Sequence, residues 1–327
     1  MTPLLEIRDL AKTYRLPAKS GAKPGLLKAV NGVSLQIAPG ETLGLVGESG
    51  CGKSTLGKLV LGLTPADRGQ VLYRGTDLAR LSAGQMRPYR RQMQMIFQDP
   101  FSSLNPRMTV GETLAEPLII HRLCPAPDRL RRVEELLDQV GLDAAAANRY
   151  PHEFSGGQRQ RVSIARALAV EPELIIADEP VSALDLSVQA QILNLLRDIQ
   201  VKNKLSYLFI AHDLAVVEHV SDRVAVMYLG KIVEVAPAGE LYRQPRHPYT
   251  EALLNAIPQP DPKLAGRPAP LKGEIPSPLN PPSGCAFHPR CPYASEICQQ
   301  QAPELIQLDT RHQTACHHSE KVGEKMV

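Results

Sequence analysis

The chain has 327 residues, 43% of them hydrophobic, and a formal charge of +3. That length predicts one large domain with an appendage, or two domains, around a sizeable core. The charge is too small to point to nucleic acid. No N-terminal apolar stretch of signal type is visible, nor a run near the ~18 apolar residues of a membrane span, so the chain is expected in the cytosol, reaching a membrane only through a partner.

Residues 4–10 and 29–45 alternate as half-buried strands do, with Val30, Val33, Leu35 and Ile37 ahead of Pro39-Gly40. Residues 15–28 between them are basic and rich in Gly and Pro, and read as a loop. Tyr14 precedes it; on pattern alone it is a half-exposed strand aromatic or a ligand contact.

The next stretch is the most informative. Gly47-Glu48-Ser49-Gly50-Cys51-Gly52-Lys53-Ser54 fits G-x-x-x-x-G-K-[ST] without a mismatch, and Thr55 follows it. It lies between an apolar run (43–46) that reads as a buried strand and a segment (56–63) that reads as a helix, the context of a phosphate-binding loop. Glycines let consecutive amides converge on one anion, and the helix N-terminus adds its positive dipole end. Lys53 would reach the β- and γ-phosphates and the Ser54 hydroxyl would ligate Mg²⁺. Cys51, at a helix start where a thiol pKa can fall, is expected to react with alkylating agents and so block nucleotide binding.

Residues 70–74 and 93–97 read as strands, the second ending at Gln98. Residues 109–150 read as mainly helical, and Gly141 sits where a helix-ending glycine belongs. Ser155-Gly156-Gly157-Gln158 opens a helical run to about 169; alone it is a plain turn or a second anion site. Residues 174–177 form a continuous apolar run ending in Asp178-Glu179. A buried strand that delivers two carboxylates downstream of a phosphate loop suits Mg²⁺-assisted hydrolysis, with Asp178 toward the metal and Glu179 as base. Ser187 is expected to cap a helix over 188–201. A strand over 205–211 ends at His212-Asp213, and 224–235 reads as a hairpin about Gly230.

Composition changes near residue 245, and 14 of the 29 prolines lie beyond residue 244. Cys285, Cys291, Cys298 and Cys316 are in this tail, spaced too widely for the tight pairs of common zinc sites. Their thiolates could hold zinc or an iron–sulfur cluster, or stay free, and His288, His312, His317 and His318 keep mixed zinc ligation open.

In this order the motifs resemble the ATPase subunit of ABC transporters. Gln98-Asp-Pro-Phe-Ser-Ser-Leu-Asn-Pro-Arg107, His247-Pro-Tyr-Thr250 and 273–282 look like the dipeptide/oligopeptide importer branch. The resemblance implies a phosphate-loop α/β (RecA-like) core with an antiparallel β subdomain, a helical subdomain over about 100–165 and an ATPase domain over 1–250, followed by a proline-rich, cysteine-bearing extension over 251–327. It implies that Tyr14 stacks on adenine, that residues 47–55 and Gln98 bind ATP, and that Ser54, Gln98 and Asp178 serve Mg²⁺. It implies that Lys53, Glu179 and His212 are catalytic, that Ser155 to Gln158 contact the nucleotide of a partner subunit, and that Asp185 lies at the dimer seam. A [4Fe–4S] cluster on the four tail cysteines is also implied.

The expected assembly is a pair of paralogous ATPases beneath two permease subunits, fed by an extracytoplasmic peptide-binding protein and peripheral to the cytoplasmic face of the inner membrane, with no nucleic acid. The alternatives are an importer of nickel or another small solute and, further off, a soluble ABC ATPase acting on nucleic acid or ribosomes.

Overall fold

The computed structural model describes residues 2–17, 25–257 and 273–323. The chain forms two compact units that interleave in sequence: one is built mainly from Ile37–Thr42 and Arg80–Ile210, the other from Pro3–Gln36, Leu43–Ala79 and parts of Ala211–Val327.

The second unit carries the phosphate loop. Its N-terminal strands Leu5–Leu16 and Gly25–Ile37 join Arg68–Tyr73 and Thr76–Asp77 in a four-stranded sheet. Leu5–Leu16 runs antiparallel to Arg68–Tyr73, and Leu5, Ile7 and Leu10 point inward at 2% exposure or less. These strands reach further into the expected loop at 15–28 than composition suggested; residues 18–24 of it lie outside the described residues.

The strand Thr42–Val46, buried throughout, runs parallel to Arg223–Tyr228. Gly44 is small for a reason: a Cβ there would lie 2.3 Å from the Val217 methyl of the helix Leu214–Val220. Arg223–Tyr228 folds back on Lys231–Pro237 through Leu229 and Gly230, both at positive φ (43° and 81°), which is the backbone a two-residue hairpin turn needs. The expected hairpin is therefore present. Short strands at Ile306–Gln307 and Gln313–Thr314 extend it.

The first unit holds three parallel strands, Met93–Ile96, Leu174–Asp178 and Ser206–Ala211. The central strand is buried at all five positions, so it reads as an unbroken apolar run rather than an alternation. The helices Val110–Ile120, Arg129–Gln139, Gly156–Leu168 and Leu186–Asn203 belong to the same unit. In Arg129–Gln139, Val133, Leu136 and Leu137 face inward and Gly141 takes φ 68° past its end, as the pattern required.

One local expectation is corrected, and one helix had no counterpart in the sequence pattern. The helix expected from Ser187 starts earlier: Asp185 is its cap, its Oδ1 accepting from the Val188 amide at 3.0 Å, while the Ser187 hydroxyl donates to that same carboxylate at 2.8 Å. A carboxylate accepts from a bare amide more strongly than a hydroxyl, and Asp185 is the residue with the extended backbone a cap needs. The helix Ala83–Gln92 was not legible, because it buries only Met86 and contains Pro88; a reciprocal Ser82–Gln85 cap starts it. Among the described residues no helix is long and apolar enough to cross a membrane.

Candidate nucleotide site and thiol pocket

The phosphate loop links the strand Thr42–Val46 to the helix Lys53–Val60. Gly47, Gly50 and Gly52 all have positive φ, and a Cβ at Gly47 or Gly52 would fall 2.2 Å from the Met227 carbonyl or 2.0 Å from the Ala29 carbonyl. Two of the glycines are thus forced by backbone packed beneath the loop. The helix begins at Lys53, earlier than its apolar pattern indicated, with no side-chain cap and no acidic residue in its first turn. Its positive end is left for an anion. Lys53 is 4% exposed, and its ammonium donates to the carbonyls of Gly47 at 2.7 Å and Glu48 at 3.1 Å. Ser49 and Gly50 are exposed, and Ser54 and Thr55 half-buried. Tyr14 is half-buried near the end of its strand, with the Lys12 ammonium 5.7 Å from its ring centroid.

Cys51 corrects the reactivity expected of it. The thiol is 5% exposed and burial pushes its pKa up, with Lys53 pulling only partly against that. Desolvation of the thiolate outweighs the helix end.

Three residues of the loop's own unit hold it from below. The Tyr249 hydroxyl accepts from the Glu48 amide at 2.8 Å. Arg290 grips the Glu48 carboxylate with both Nη atoms, at 2.8 and 3.0 Å, and that hydrogen bonding raises the arginine's pKa. The Gly230 amide donates to the Cys51 carbonyl at 2.9 Å. The His247-Pro-Tyr-Thr250 motif explains how Tyr249 gets there: the His247 ring accepts from the Tyr249 amide at 3.1 Å and caps the helix Pro248–Asn255. Burial lowers the His247 pKa to about 3, so the ring is neutral and free to accept at ordinary pH. Sequence reasoning missed Tyr249 and Arg290 as neighbours of the loop; the motif around Tyr249 was a signal, whereas nothing local marked Arg290.

In the other unit, Asp178 ends its strand at 4% exposure. Glu179 follows at φ 47°, an uncommon backbone for a non-glycine residue, held by its amide donating to the Ile210 carbonyl at 2.9 Å. Strain of this kind is costly and collects at functional sites. Gln98 Nε2 donates to Glu179 Oε2 at 2.9 Å, joining two residues that sequence reasoning had named separately. Ser155 caps Gly156–Leu168 reciprocally with Gln158: its hydroxyl accepts from the Gln158 amide at 3.4 Å and its own amide donates to the Gln158 side chain at 3.1 Å. Gly157 meets packing rather than open space, since a Cβ would lie 2.5 Å from a Val188 methyl, whereas Gly156 has ordinary clearance at 3.4 Å from Leu184. Arg159, 8% exposed, ties this helix start to the Pro151 and His152 carbonyls at 2.6 and 3.2 Å. His212 is exposed, just beyond Ser206–Ala211.

Cys285, Cys291, Cys298 and Cys316 line one pocket together with Phe287, His288, Tyr293, His317 and His318. All four are free thiols, and the Cys285 amide donates to the Cys298 carbonyl at 2.8 Å. Burial raises the pKa of Cys285, of Cys291 to about 11 and of Cys316 to about 12, so a metal would have to displace their protons. Among the described residues, the one group of three metal-binding side chains with ligand atoms within 4.8 Å of one another is Glu240, Asp309 and His312. Among the described residues, no three of the four thiols have all their sulfurs within 4.8 Å of one another.

A family model described as ABC transporter matches residues 30–182, and one described as Oligopeptide/dipeptide transporter, C-terminal region, matches 233–298. The second spans Tyr249, Arg290 and three of the tail cysteines and stops short of Cys316. The oligopeptide transport ATP-binding protein AppF of Bacillus subtilis is 52% identical over 320 residues, 96% of this chain and 97% of its own length. BOV_A0347 of Brucella ovis, provisionally named a peptide import ATP-binding protein, is 54% identical over 315 residues, 96% of this chain and 98% of its own. Among solved structures, the ATP-binding cassette MJ0796, in a dimeric post-hydrolysis state bound to ADP and Pi, superposes with a TM-score of 0.64 at 29% identity, over 72% of this chain and 98% of that one.

Proposed function

The chain belongs to the ABC transporter family, and from that premise we propose that it is the ATP-hydrolysing subunit of an importer of dipeptides or oligopeptides. The observation that carries this is identity above half with peptide-transport ATP-binding proteins along nearly the whole of both chains. The proposed domain plan is an ATPase domain over 1–250, with a helical subdomain over about 100–165, and an extension over 251–327.

The chemistry follows from the residues. Lys53 and the amides after Gly50 hold the β- and γ-phosphates of ATP, and Tyr14 stacks on the adenine. Ser54, Gln98 and Asp178 offer the oxygen donors that Mg²⁺ takes, and the ion would neutralise charge on the two terminal phosphates. Glu179, oriented by Gln98, accepts a proton from the attacking water. As the new O–P bond forms, the bond from the γ-phosphorus to the bridging oxygen breaks, and ADP leaves with the electron pair. His212 steadies the γ-phosphate. Ser155 to Gln158, with Asp185 at the seam, act on the nucleotide of a second, paralogous subunit, so ATP closes a head-to-tail pair and hydrolysis reopens it. Two permease subunits carry the pair on the cytoplasmic face of the inner membrane, and an extracytoplasmic peptide-binding protein supplies the solute.

Uptake of labelled dipeptide in cells carrying wild-type or Glu179→Gln protein tests the reading. Loss of uptake in the variant, with competition by unlabelled peptide in the wild type, is expected. Normal peptide uptake in the variant, or nickel as the competing solute, would overturn it.

For the extension we propose a [4Fe–4S] cluster on Cys285, Cys291, Cys298 and Cys316. Four thiols lining one pocket support that donor set. Such a cluster supplies a one-electron couple and a rigid cross-link. Oxygen-free preparations should carry ~4 irons and 4 sulfides per chain; zinc alone, or neither element, would refute it.

A further inference from the structure

Glu48 puts a carboxylate inside a loop built to receive a polyphosphate, which on charge alone works against binding. The structure deals with that charge from the C-terminal region. Arg290 reaches Glu48 across 242 positions of sequence and forks onto both oxygens, at 2.8 and 3.0 Å. The arginine side chain is 4% exposed and the glutamate 22%. Arg290 Nη1 also lies 3.5 Å from the Tyr228 hydroxyl, and its guanidinium sits 6.0 and 5.9 Å from the Tyr228 and Phe287 ring centroids. Its Nε is buried with no partner among the described residues, a destabilising arrangement for a residue needed only as filler. The fork on Glu48 is what the side chain is placed for.

We propose that Arg290 is a positioning residue for ATP binding: it turns the Glu48 carboxylate away from the polyphosphate and, through it, fixes the backbone of the phosphate loop. The inference rests on the ATPase reading above and adds a residue outside the cassette motifs. Three points make it specific. The Glu48 amide is already engaged by Tyr249, so this residue offers the loop no donor to a phosphate. Its carbonyl is one of the two backbone acceptors that hold the Lys53 ammonium, so a shift of Glu48 moves the lysine. And Arg290 ends the one-turn helix His288–Arg290, capped by Cys291, so its position depends on the thiol pocket.

The test is equilibrium titration of the full-length protein with MANT-ATP and MANT-ADP in Mg²⁺ buffer, for wild type, Arg290→Gln, Glu48→Gln and the double variant. Arg290→Gln should raise the Kd for MANT-ATP about tenfold and that for MANT-ADP less, because the freed carboxylate repels the more highly charged ligand more strongly. The double variant, with no carboxylate to repel, should recover to within about threefold of wild type. A Kd for Arg290→Gln within about twofold of wild type, or a double variant weaker than Arg290→Gln, would overturn the inference. Should Arg290→Gln not fold, Arg290→Lys decides: a greater loss for the triphosphate supports the role, and equal loss for both nucleotides refutes it. A wild-type protein that binds no MANT-ATP would overturn the ATPase reading itself.

Discussion

Gln98 donates to the Glu179 carboxylate at 2.9 Å, although 81 residues separate them. Under the proposed role of Glu179 as base, activity should fall more when its carboxylate is removed than when the orienting amide is. Glu179→Gln is expected to bind ATP normally and to lower kcat about 10²- to 10⁴-fold. Gln98→Ala should lower kcat about tenfold, the loss of one positioning contact. Single-turnover hydrolysis checks both, and near wild-type kcat in Glu179→Gln would remove it as the base.

The glycines of the Ser155 to Gln158 run separate by their surroundings. Gly157→Ala would drive a methyl to 2.5 Å from Val188, and a clash of that kind costs about 1–3 kcal/mol. Gly156→Ala meets only ordinary contact, at 3.4 Å from Leu184. Urea unfolding should therefore show a clear loss for Gly157→Ala and little change for Gly156→Ala. Equal destabilisation would contradict the packing.

Cys51 should be slow to alkylate. At 5% exposure and with a pKa raised by burial, it should lag behind half-exposed Cys124 when labelled with N-ethylmaleimide at neutral pH, and speed up as pH rises. Time-resolved peptide mass spectrometry reads the order directly. Faster labelling of Cys51 than of Cys124 would show that the loop opens.

The Asp185 cap predicts an acid-side effect. Hydrogen bonds from the Val188 amide, then from the Ser187 hydroxyl, hold its carboxyl below the usual carboxylate range. A depressed pKa contributes stability that is fully present above the unfolded value of ~4 and is lost as pH falls through the folded one. The difference in Tm between wild type and Asp185→Ala should shrink as pH drops below ~4. A gap that widens there would refute the cap.

Local chemistry was the legible part of this chain. The strand–loop–helix about Lys53, the buried strand ending at Asp178 and the hairpin about Gly230 each follow from apolar runs and turn residues adjacent in sequence. Boundaries were less so: the helix at Lys53 opens on a polar turn that shows no apolar stripe, and Asp185 displaced Ser187 as a cap by one backbone conformation. Long-range pairs left no trace. Nothing beside Arg290 announces a partner at Glu48, and nothing in Ser155-Gly156-Gly157-Gln158 announces that Gly157 yields space to Val188.

The tie from Tyr249 and Arg290 to Glu48 has a consequence for how such proteins can be recombined. A cassette cut before residue 245 would keep every nucleotide motif yet lose both groups that hold Glu48. The segments before and after residue 245 are therefore tied to each other through Glu48. A chimera is expected to hold Glu48 as this chain does only when Tyr249 and Arg290 travel with it.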